Sequence, residues 1–299
     1  MAAVRAALAG TRFADVRWAA STGSTNADAL ALSRDGAAEG IVVVADHQRA
    51  GRGRRSRSWV APPGGSLLVS VLLRPPASVA GAATMAAALA MAEAVERLAG
   101  VGPGLKWPND LVVDDRKLAG ILAEADWPAG STISSGYRPP AADDRTAVIV
   151  GVGLNVAWPR LPQGSTGGGP SDAVATGGGP DEAAALAPEQ EAALAEVADR
   201  ATALNWLGAD VDRSELLVAF LRRLDERYRE LVRAGPATTI ADWRRRSATL
   251  GRRVRVDLGA HDVEGTAVDV TGEGHLVVET LEGERRTFAV GDVIHLRPR

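Results

Sequence analysis

Apolar positions along the chain fall into two regions with different periods. In the first, apolar runs of strand length alternate with helix-length stretches. Asp15–Trp18, Ile41–Asp46, Ser66–Leu73 and Thr146–Val156 are strand candidates. Ile41–Asp46 and Ser66–Leu73 are almost continuously apolar, as buried strands are. Leu105–Val113 and Lys117–Glu124 flank Asp114-Asp115-Arg116, which predicts a hairpin. Pro108 cannot donate to a central ladder, so it marks a bulge or a strand end. Met1–Gly10 predicts a first helix. Ala27–Ser33 predicts a short one, capped by Thr25 or Asn26, with Gly36 beyond its end. Val79–Ala99 predicts a long alanine-rich helix, stopped by Gly100 and Gly102-Pro103-Gly104. Helices are also predicted over Glu189–Trp206 and Ile240–Ala248. Between these, Leu217, Leu221, Leu224, Tyr228 and Leu231 recur at helical spacing. They follow a capping box of Asp212 and Glu215 and precede a stop at Gly235-Pro236. Past Leu250 the pattern changes to short strands: Arg253–Leu258, Val263–Val270, His275–Leu281, Arg285–Ala289 and Val293–Leu296. Five short strands in so few residues predict a small β-barrel.

The expected organisation is therefore a large unit over 1–248 and a small β unit over 249–299. Two stretches interrupt the first. Residues 126–145 are rich in Ser, Gly and Pro and predict an insertion. Residues 163–188 are glycine-rich and poor in large apolar residues, which predicts disorder. A chain of 299 residues with 46% hydrophobic content can bury a substantial core. The net charge of -3 provides no global field for nucleic acid. Cysteine is absent, which excludes disulfides, thiolate metal sites and a cysteine nucleophile. The four histidines, His47, His261, His275 and His295, lack the spacing of a zinc site. No apolar stretch reaches membrane-spanning length, and the start lacks the apolar region of a signal peptide. The expected location is the cytoplasm.

One loop stands out for chemistry. Gly51-Arg52-Gly53-Arg54-Arg55-Ser56-Arg57-Ser58-Trp59 holds four arginines and two glycines directly after a strand candidate. Glycines let backbone approach a ligand, and guanidinium forks suit phosphate and carboxylate. Anion capture, nucleic-acid binding and a solvated charge run all remain open for the loop by itself. Neither a serine–histidine–acid arrangement nor a Walker-type phosphate loop is visible. Gly151-Val152-Gly153-Leu154-Asn155 lacks the third glycine of a dinucleotide fingerprint. The remaining equipment is cationic: Arg52, Arg54, Arg55, Arg57, Lys106 and Lys117. Such a set stabilises negative charge, which favours phosphoryl or adenylyl transfer. Lys117 opens an apolar strand, where a partly desolvated ammonium acts strongly. Asp110 and Glu124 are candidate magnesium ligands, although an ordinary turn or ion pair accounts for either alone.

Five segments taken together resemble the biotin–protein ligase family. They are Ser24-Thr25-Asn26; Gln48 with the arginine loop; Lys106-Trp107-Pro108-Asn109-Asp110-Leu111; Lys117-Leu118-Ala119-Gly120-Ile121-Leu122; and Gly151 to Asn155. Their order and spacing match over about residues 16–156, and the small C-terminal β unit fits as well. The resemblance implies an α+β fold: a mixed β-sheet flanked by helices, related to lipoate ligases and class II synthetases, with an SH3-like C-terminal barrel. It implies an ATP-dependent, AMP-forming ligase. Biotin's carboxylate attacks the α-phosphate of ATP to give biotinyl-5′-AMP. A lysine of a biotin carboxyl carrier domain then takes the biotin.

The resemblance also implies roles. Ser24, Thr25, Asn26 and Gln48 would hold biotin as neutral hydrogen-bonding groups, avoiding the cost of desolvating charge. Arg52, Gly53 and Arg54 belong to the loop that orders over biotin and the adenylate. Lys117, with Arg52 and Arg54, would act at the reacting carboxylate and α-phosphate. Arg54, Arg55, Trp59, Lys106, Asn109 and Asn155 fall on the ATP and adenylate side. Asp110 would serve a magnesium ion. Implied partners are a carrier protein or domain of acyl-CoA carboxylases, with no nucleic acid and no membrane, in a monomer or homodimer. Ser56 departs from the family's pattern, which has glycine there; if that position needs positive φ, serine costs on the order of 1 kcal/mol. Only 23 residues precede Ser24, too few for the DNA-binding module of some relatives, so a ligase without repressor function is expected. A lipoate ligase or octanoyltransferase is the nearest alternative, and the arginine loop and Lys106–Asp110 run argue against it.

Overall fold

The computed structural model describes residues 1–126, 144–159, 188–259 and 261–296. Its centre is a seven-stranded mixed sheet. The strands are β1 (Val16–Ala19), β2 (Val42–Ala45), β3 (Ser66–Leu73), β4 (Gly104–Lys106), β5 (Asp110–Val113), β6 (Arg116–Asp126) and β7 (Ala147–Asn155), in the order β1-β2-β3-β7-β6-β5-β4. Only β1 and β2 pair in parallel; the other ladders are antiparallel. The helices are α1 (Ala2–Ala7), α2 (Thr25–Arg34), α3 (Ala77–Ala80), α4 (Ala83–Ala99), α5 (Pro188–Ala198), α6 (Arg213–Ala234) and α7 (Ala237–Arg245).

Side chains alternate across a strand, and here the alternation divides core from site. Leu67, Val69, Val71 and Leu73 of β3 join Val148, Val150, Val152 and Leu154 of β7 in the main core with α4 and α6. The alanines of α4 allow close packing against the sheet and favour the helix. Leu217, Leu221, Leu224, Tyr228 and Leu231 of α6 are all fully buried, so the helical spacing predicted the inward face. Asp212 caps α6 by accepting from the backbone N–H of Ser214 and Glu215 at 2.8 and 2.9 Å. On the opposite sheet face, Ala29 of α2 packs with Ile41, Val43, Leu72, Ala147 and Ile149. Apolar filling stops there. The rest of that face carries Ser70, Gly120, Gly151, Gly153 and Asn155, and it becomes the site floor.

A second sheet contains β8 (Arg253–Asp257), β9 (Asp262–Val270), β10 (Leu276–Thr280), β11 (Arg285–Phe288) and β12 (Asp292–His295). Its order is β11-β10-β9-β8-β12, antiparallel throughout. Val254, Val256, Ala267, Val270, Leu276 and Val278 form its fully buried centre. This is the small SH3-like β unit expected. Trp107 ties it to the large sheet: its backbone N–H donates to Thr249 Oγ1 at 3.0 Å and its indole N–H to Gly274 O at 3.0 Å.

Three boundaries differ from expectation. The helix predicted over Glu189–Trp206 ends at Ala198. The chain leaves it because Lys117 N–H donates to Arg200 O at 2.7 Å, and Thr202 N–H to Lys117 O at 2.9 Å. Backbone pairing to β6 thus overrides helical propensity. The single helix predicted over Val79–Ala99 is two, broken at Gly81-Ala82. The last helix begins at Ala237, directly after Pro236. The stretches 126–145 and 163–188 lie almost wholly outside the described residues. Among the described residues no helix is long and apolar enough to cross a membrane.

Candidate active site

The first turn of α2 builds one end of the site. Ser24 is its N-cap residue but makes no side-chain cap bond. Thr25 and Asn26 lie inside the helix, 4% exposed, and point at the sheet. The capping expectation for them is thereby overturned, because their side chains have other partners. Gln48 Oε1 accepts from both Thr25 N–H, at 2.8 Å, and Thr25 Oγ1, at 2.9 Å. The Ser70 hydroxyl lies 2.8 Å from Thr25 Oγ1 and 2.6 Å from Asn26 Oδ1. Asn26 Nδ2 donates to Glu124 Oε2 at 2.8 Å and to Leu122 O at 3.3 Å. Neutral groups, anchored on the Glu124 carboxylate, thus form a mutually oriented network, the kind that specifies a geometry.

The arginine loop folds as a small hairpin. Arg52 and Ser58 form an isolated bridge, Gly53 N–H donates to Arg57 O at 2.6 Å, and Trp59 N–H to Gly51 O at 2.9 Å. A Cβ at Gly51 would meet Trp59 O at 2.5 Å, so the closed hairpin requires glycine there. At its tip Arg55 and Ser56 have φ of 53° and 59°. Ser56 therefore does occupy a left-handed position, which costs roughly 1 kcal/mol or more for a residue with a Cβ. Ion pairs hold the strained tip. Arg52 Nη2 donates to Glu124 Oε2 at 3.2 Å. Arg54 Nη1 reaches Asn109 Oδ1 at 3.4 Å, Gly291 O at 3.2 Å and Asp292 Oδ1 at 3.6 Å. Burial lowers the Arg54 pKa from its ordinary value, with Asp292 and Asp110 opposing the shift.

Trp59 ends the loop and lies flat on the sheet. A Cβ at Gly153 would meet its Cε2 at 2.5 Å, and one at Gly120 its Cζ3 at 2.9 Å. The glycines of Gly-Val-Gly-Leu-Asn are thus a strand's smooth face, not a phosphate-binding turn. The buried Trp59 indole N–H, against Gly153, has no hydrogen-bond partner among the described residues. Lys117 Nζ sits 5.4 Å from the Trp59 ring centre and 2.7 Å from Asp110 Oδ1. The latter is an ion contact without hydrogen-bond alignment. Burial lowers the pKa of Lys106, against the opposing pull of Asp110 and Asp115. Asn109 Nδ2 donates to Ile121 O at 2.7 Å, fixing the turn before β5. Asn155, 1% exposed, donates to Thr202 O at 2.9 Å and Lys117 O at 3.4 Å. Its amide braces the cavity wall around Lys117.

Ser24, Thr25, Asn26, Gln48, Arg52, Gly53, Arg54, Trp59, Lys106, Asn109, Asp110, Lys117 and Asn155 all line one cavity of about 670 Å³. That volume suits a ligand of drug-like size. Arg55 stands outside its wall, turned to Asp257 and Asp292. Sequence reasoning missed Ser70, whose hydroxyl holds Thr25 and Asn26, and Asp292. A serine in an otherwise apolar strand was the available signal for Ser70; Asp292 had none. Among the described residues no three acidic or histidine side chains cluster for a metal. Asp110 alone still fits the way magnesium binds through one carboxylate plus substrate phosphates and waters.

The cavity has a neutral polar end and a cationic end, joined over a bare sheet face. That division suits a small molecule with an uncharged polar portion at one end and anionic groups at the other. Residues 18–131 match the biotin/lipoate A/B protein ligase family, and residues 249–296 match the biotin protein ligase C terminal domain. The biotin–acetyl-CoA-carboxylase ligase of Mycobacterium tuberculosis is 37% identical, over 97% of this chain and 92% of that protein. The bifunctional ligase/repressor BirA of Bacillus subtilis is 30% identical, over 89% of this chain and 70% of its own length. A solved biotin protein ligase from Aquifex aeolicus, in complex with biotin and ATP, superposes with a TM-score of 0.68. It is 25% identical and covers 96% of this chain and all of that one. The chain belongs to the biotin protein ligase family.

Proposed function

We propose that this chain activates biotin with ATP and transfers it to one lysine of a biotin carboxyl carrier domain of an acyl-CoA carboxylase. The observation that carries the reading is the single cavity where the Thr25–Asn26–Gln48–Ser70 network faces the cations Arg52, Arg54, Lys106 and Lys117. The neutral network suits biotin's ureido group, which needs both donors and acceptors but no charge. Leu122 and the glycine face would wall the ring and its aliphatic chain.

In the first step a biotin carboxylate oxygen bonds to the α-phosphorus, and the bond from that phosphorus to the β-bridging oxygen breaks. Pyrophosphate leaves with the electron pair. Negative charge concentrates on the α-phosphoryl oxygens, so preorganised cations supply most of the help. Lys117, near the start of β6, would take that role, with its Asp110 partner holding it until the phosphate arrives. Arg52 and Arg54 would exchange Glu124 and Asp292 for the ligand's carboxylate and phosphate. Trp59 would pack against the nucleotide, and Asn109 and Asn155 would keep the surrounding backbone in shape. A magnesium ion, arriving with the phosphates and met by Asp110, would supply further charge neutralisation. In the second step the carrier lysine's neutral amine attacks the acyl carbon of the mixed anhydride, and AMP leaves. The ligase unit is assigned to 1–248 and the small β unit to 249–299.

Exchange of labelled pyrophosphate into ATP isolates the first step. Exchange with biotin, and none with lipoate or octanoate, is the expected result. Exchange with lipoate alone would move the chain to the lipoate branch of the fold, and no exchange with any acid would defeat the proposal.

A further inference from the structure

In the second step the loop lies over the adenylate, so the acceptor's amine needs a way to the acyl carbon past the loop. A second cavity, of about 560 Å³, adjoins the first. Arg52, Gly53, Arg54 and Leu122 line both, so they form the wall between them. Gly53 brings no side chain to that wall. Glu124, Leu258 and Val290 line the outer cavity only. Among its described lining residues Glu124 is the one acid. Side chains alternate along β6, so Leu122 and Glu124 share one face of the strand. Val290 is 66% exposed, an apolar edge at the cavity's rim.

That lining fits one kind of visitor. A lysine side chain is an apolar stem with a compact cation at its end. Leu122, Leu258 and Val290 suit the stem, and Glu124 suits the ammonium. Among the described residues, Glu124 accepts from Asn26 Nδ2 at 2.8 Å and from Arg52 Nη2 at 3.2 Å, both through Oε2. Asn26 ties it to the neutral end of the inner cavity, and Arg52 ties it to the dividing wall. In the ligase reading Arg52 turns to the ligand's carboxylate. Glu124 then keeps its charge and loses that cation, and a half-buried carboxylate favours a replacement. We propose that the acceptor lysine enters through the outer cavity and that Glu124 receives its ammonium at the dividing wall. The proposal rests on the ligase reading above and concerns the adenylate-bound state. The ammonium gives one proton to water, and the freed lone pair bonds to the acyl carbon. The bond from that carbon to the phosphate oxygen breaks, and AMP leaves with the electron pair. A second proton passes from the nitrogen to water, leaving the amide.

The test mixes the enzyme with synthetic biotinyl-5′-AMP and one of two amines, and reads AMP release in a single turnover. Nα-acetyl-lysine amide is a cation near neutral pH. Hydroxylamine is uncharged there and attacks the same carbon. The ratio of the two rate constants cancels effects on the adenylate itself. Glu124→Gln keeps an acceptor for Asn26 and should lower that ratio about tenfold, the scale of one charge-assisted hydrogen bond. Added salt should lower the ratio more in wild type than in Glu124→Gln, since only the wild type draws the cation by charge. A loss of structure alone would move both amines together. Val290→Lys puts a like charge at the rim and should lower the ratio several-fold. Its exposed position lets it carry the test if Glu124→Gln does not fold. An unchanged ratio in Glu124→Gln overturns the role of Glu124, and an unchanged ratio in Val290→Lys overturns the route. The ligase reading fails separately. A wild-type protein that exchanges no pyrophosphate with biotin and consumes the adenylate with neither amine defeats both.

Discussion

A single methyl group at Gly151 should disable the biotin end of the cavity. The Cβ of Gly151→Ala would overlap Asn26 Oδ1 and lie 2.9 Å from its Cγ. Ordinary contact begins near 3.5 Å, so the Asn26 amide must retreat by about 1 Å. The strand cannot yield instead, because β7 is paired on both sides, at Ser70 and at Leu122. Nor can α2, whose Ala29 is fully buried. Asn26 must rotate away, giving up Ser70 at 2.6 Å, Glu124 at 2.8 Å and Leu122 O at 3.3 Å. At about 1 kcal/mol for each of the two shorter bonds, with about 1–3 kcal/mol for overpacking, the loss is about 3–5 kcal/mol. Folding stability of about 5–15 kcal/mol leaves the protein folded but weakened. Denaturant titration should show that loss, and calorimetry should show biotin binding at least about tenfold weaker, as for a lost set of oriented groups. Gly153→Ala is the companion: its Cβ falls 2.5 Å from Trp59 Cε2, so it should weaken ATP binding more than biotin binding. A Gly151→Ala protein within about 0.5 kcal/mol of wild type, the range of an ordinary surface change, and with unaltered biotin affinity would refute the reasoning.

Lys117→Ala should slow biotin-dependent pyrophosphate exchange by at least about a hundredfold, the scale of losing one preorganised charge, with an unchanged circular dichroism spectrum. Wild-type exchange in that variant would remove Lys117 from the chemistry. Ser56→Gly relieves a left-handed serine and should raise the Tm by about 1–2 °C, while Ser56→Val should lower it by several degrees; identical melts would mean that the loop tip is not held at positive φ in solution. His295 lies near Lys106 and is buried against Thr249, and burial chiefly, then Lys106, lowers its pKa. The unfolded chain therefore takes up the proton first as pH falls below the ordinary value of about 6.5, and the fold loses stability there. His295→Gln should flatten the wild-type decline in denaturation midpoint between about pH 7.5 and 5.5; parallel slopes would show that His295 is not held neutral.

Strands were the easiest elements to see in the sequence, because burial on both faces writes them as apolar runs. Ser66–Leu73 coincides with β3 residue for residue. Helix ends were harder wherever backbone pairs with something distant. Nothing near Ala198 signals that Arg200 and Thr202 will pair with Lys117. Thr25 and Asn26 carry the same composition signal whether they cap a helix or face a ligand; only the neighbouring strand, with Ser70 opposite, decides. The cavity's cations were visible as a class of residue, and the meaning of the three site glycines was not, since a missing Cβ shows its purpose only beside Trp59 or Asn26. Asp292 was invisible, being one acid among many and 235 positions from Arg57.

That separation has a consequence for how the molecule is made. Translation delivers the arginine loop early, and domains tend to form from the N-terminal side as the chain emerges. The acids that pair with the loop, Asp257 and Asp292, emerge two hundred or more positions later than Arg54 and Arg57. Until then, Arg54, Arg55 and Arg57 lack those partners while the nascent chain lies beside the strongly anionic RNA surface of the ribosome. A chain stopped short of β12 therefore lacks the carboxylate that pairs with Arg54, Arg55 and Arg57.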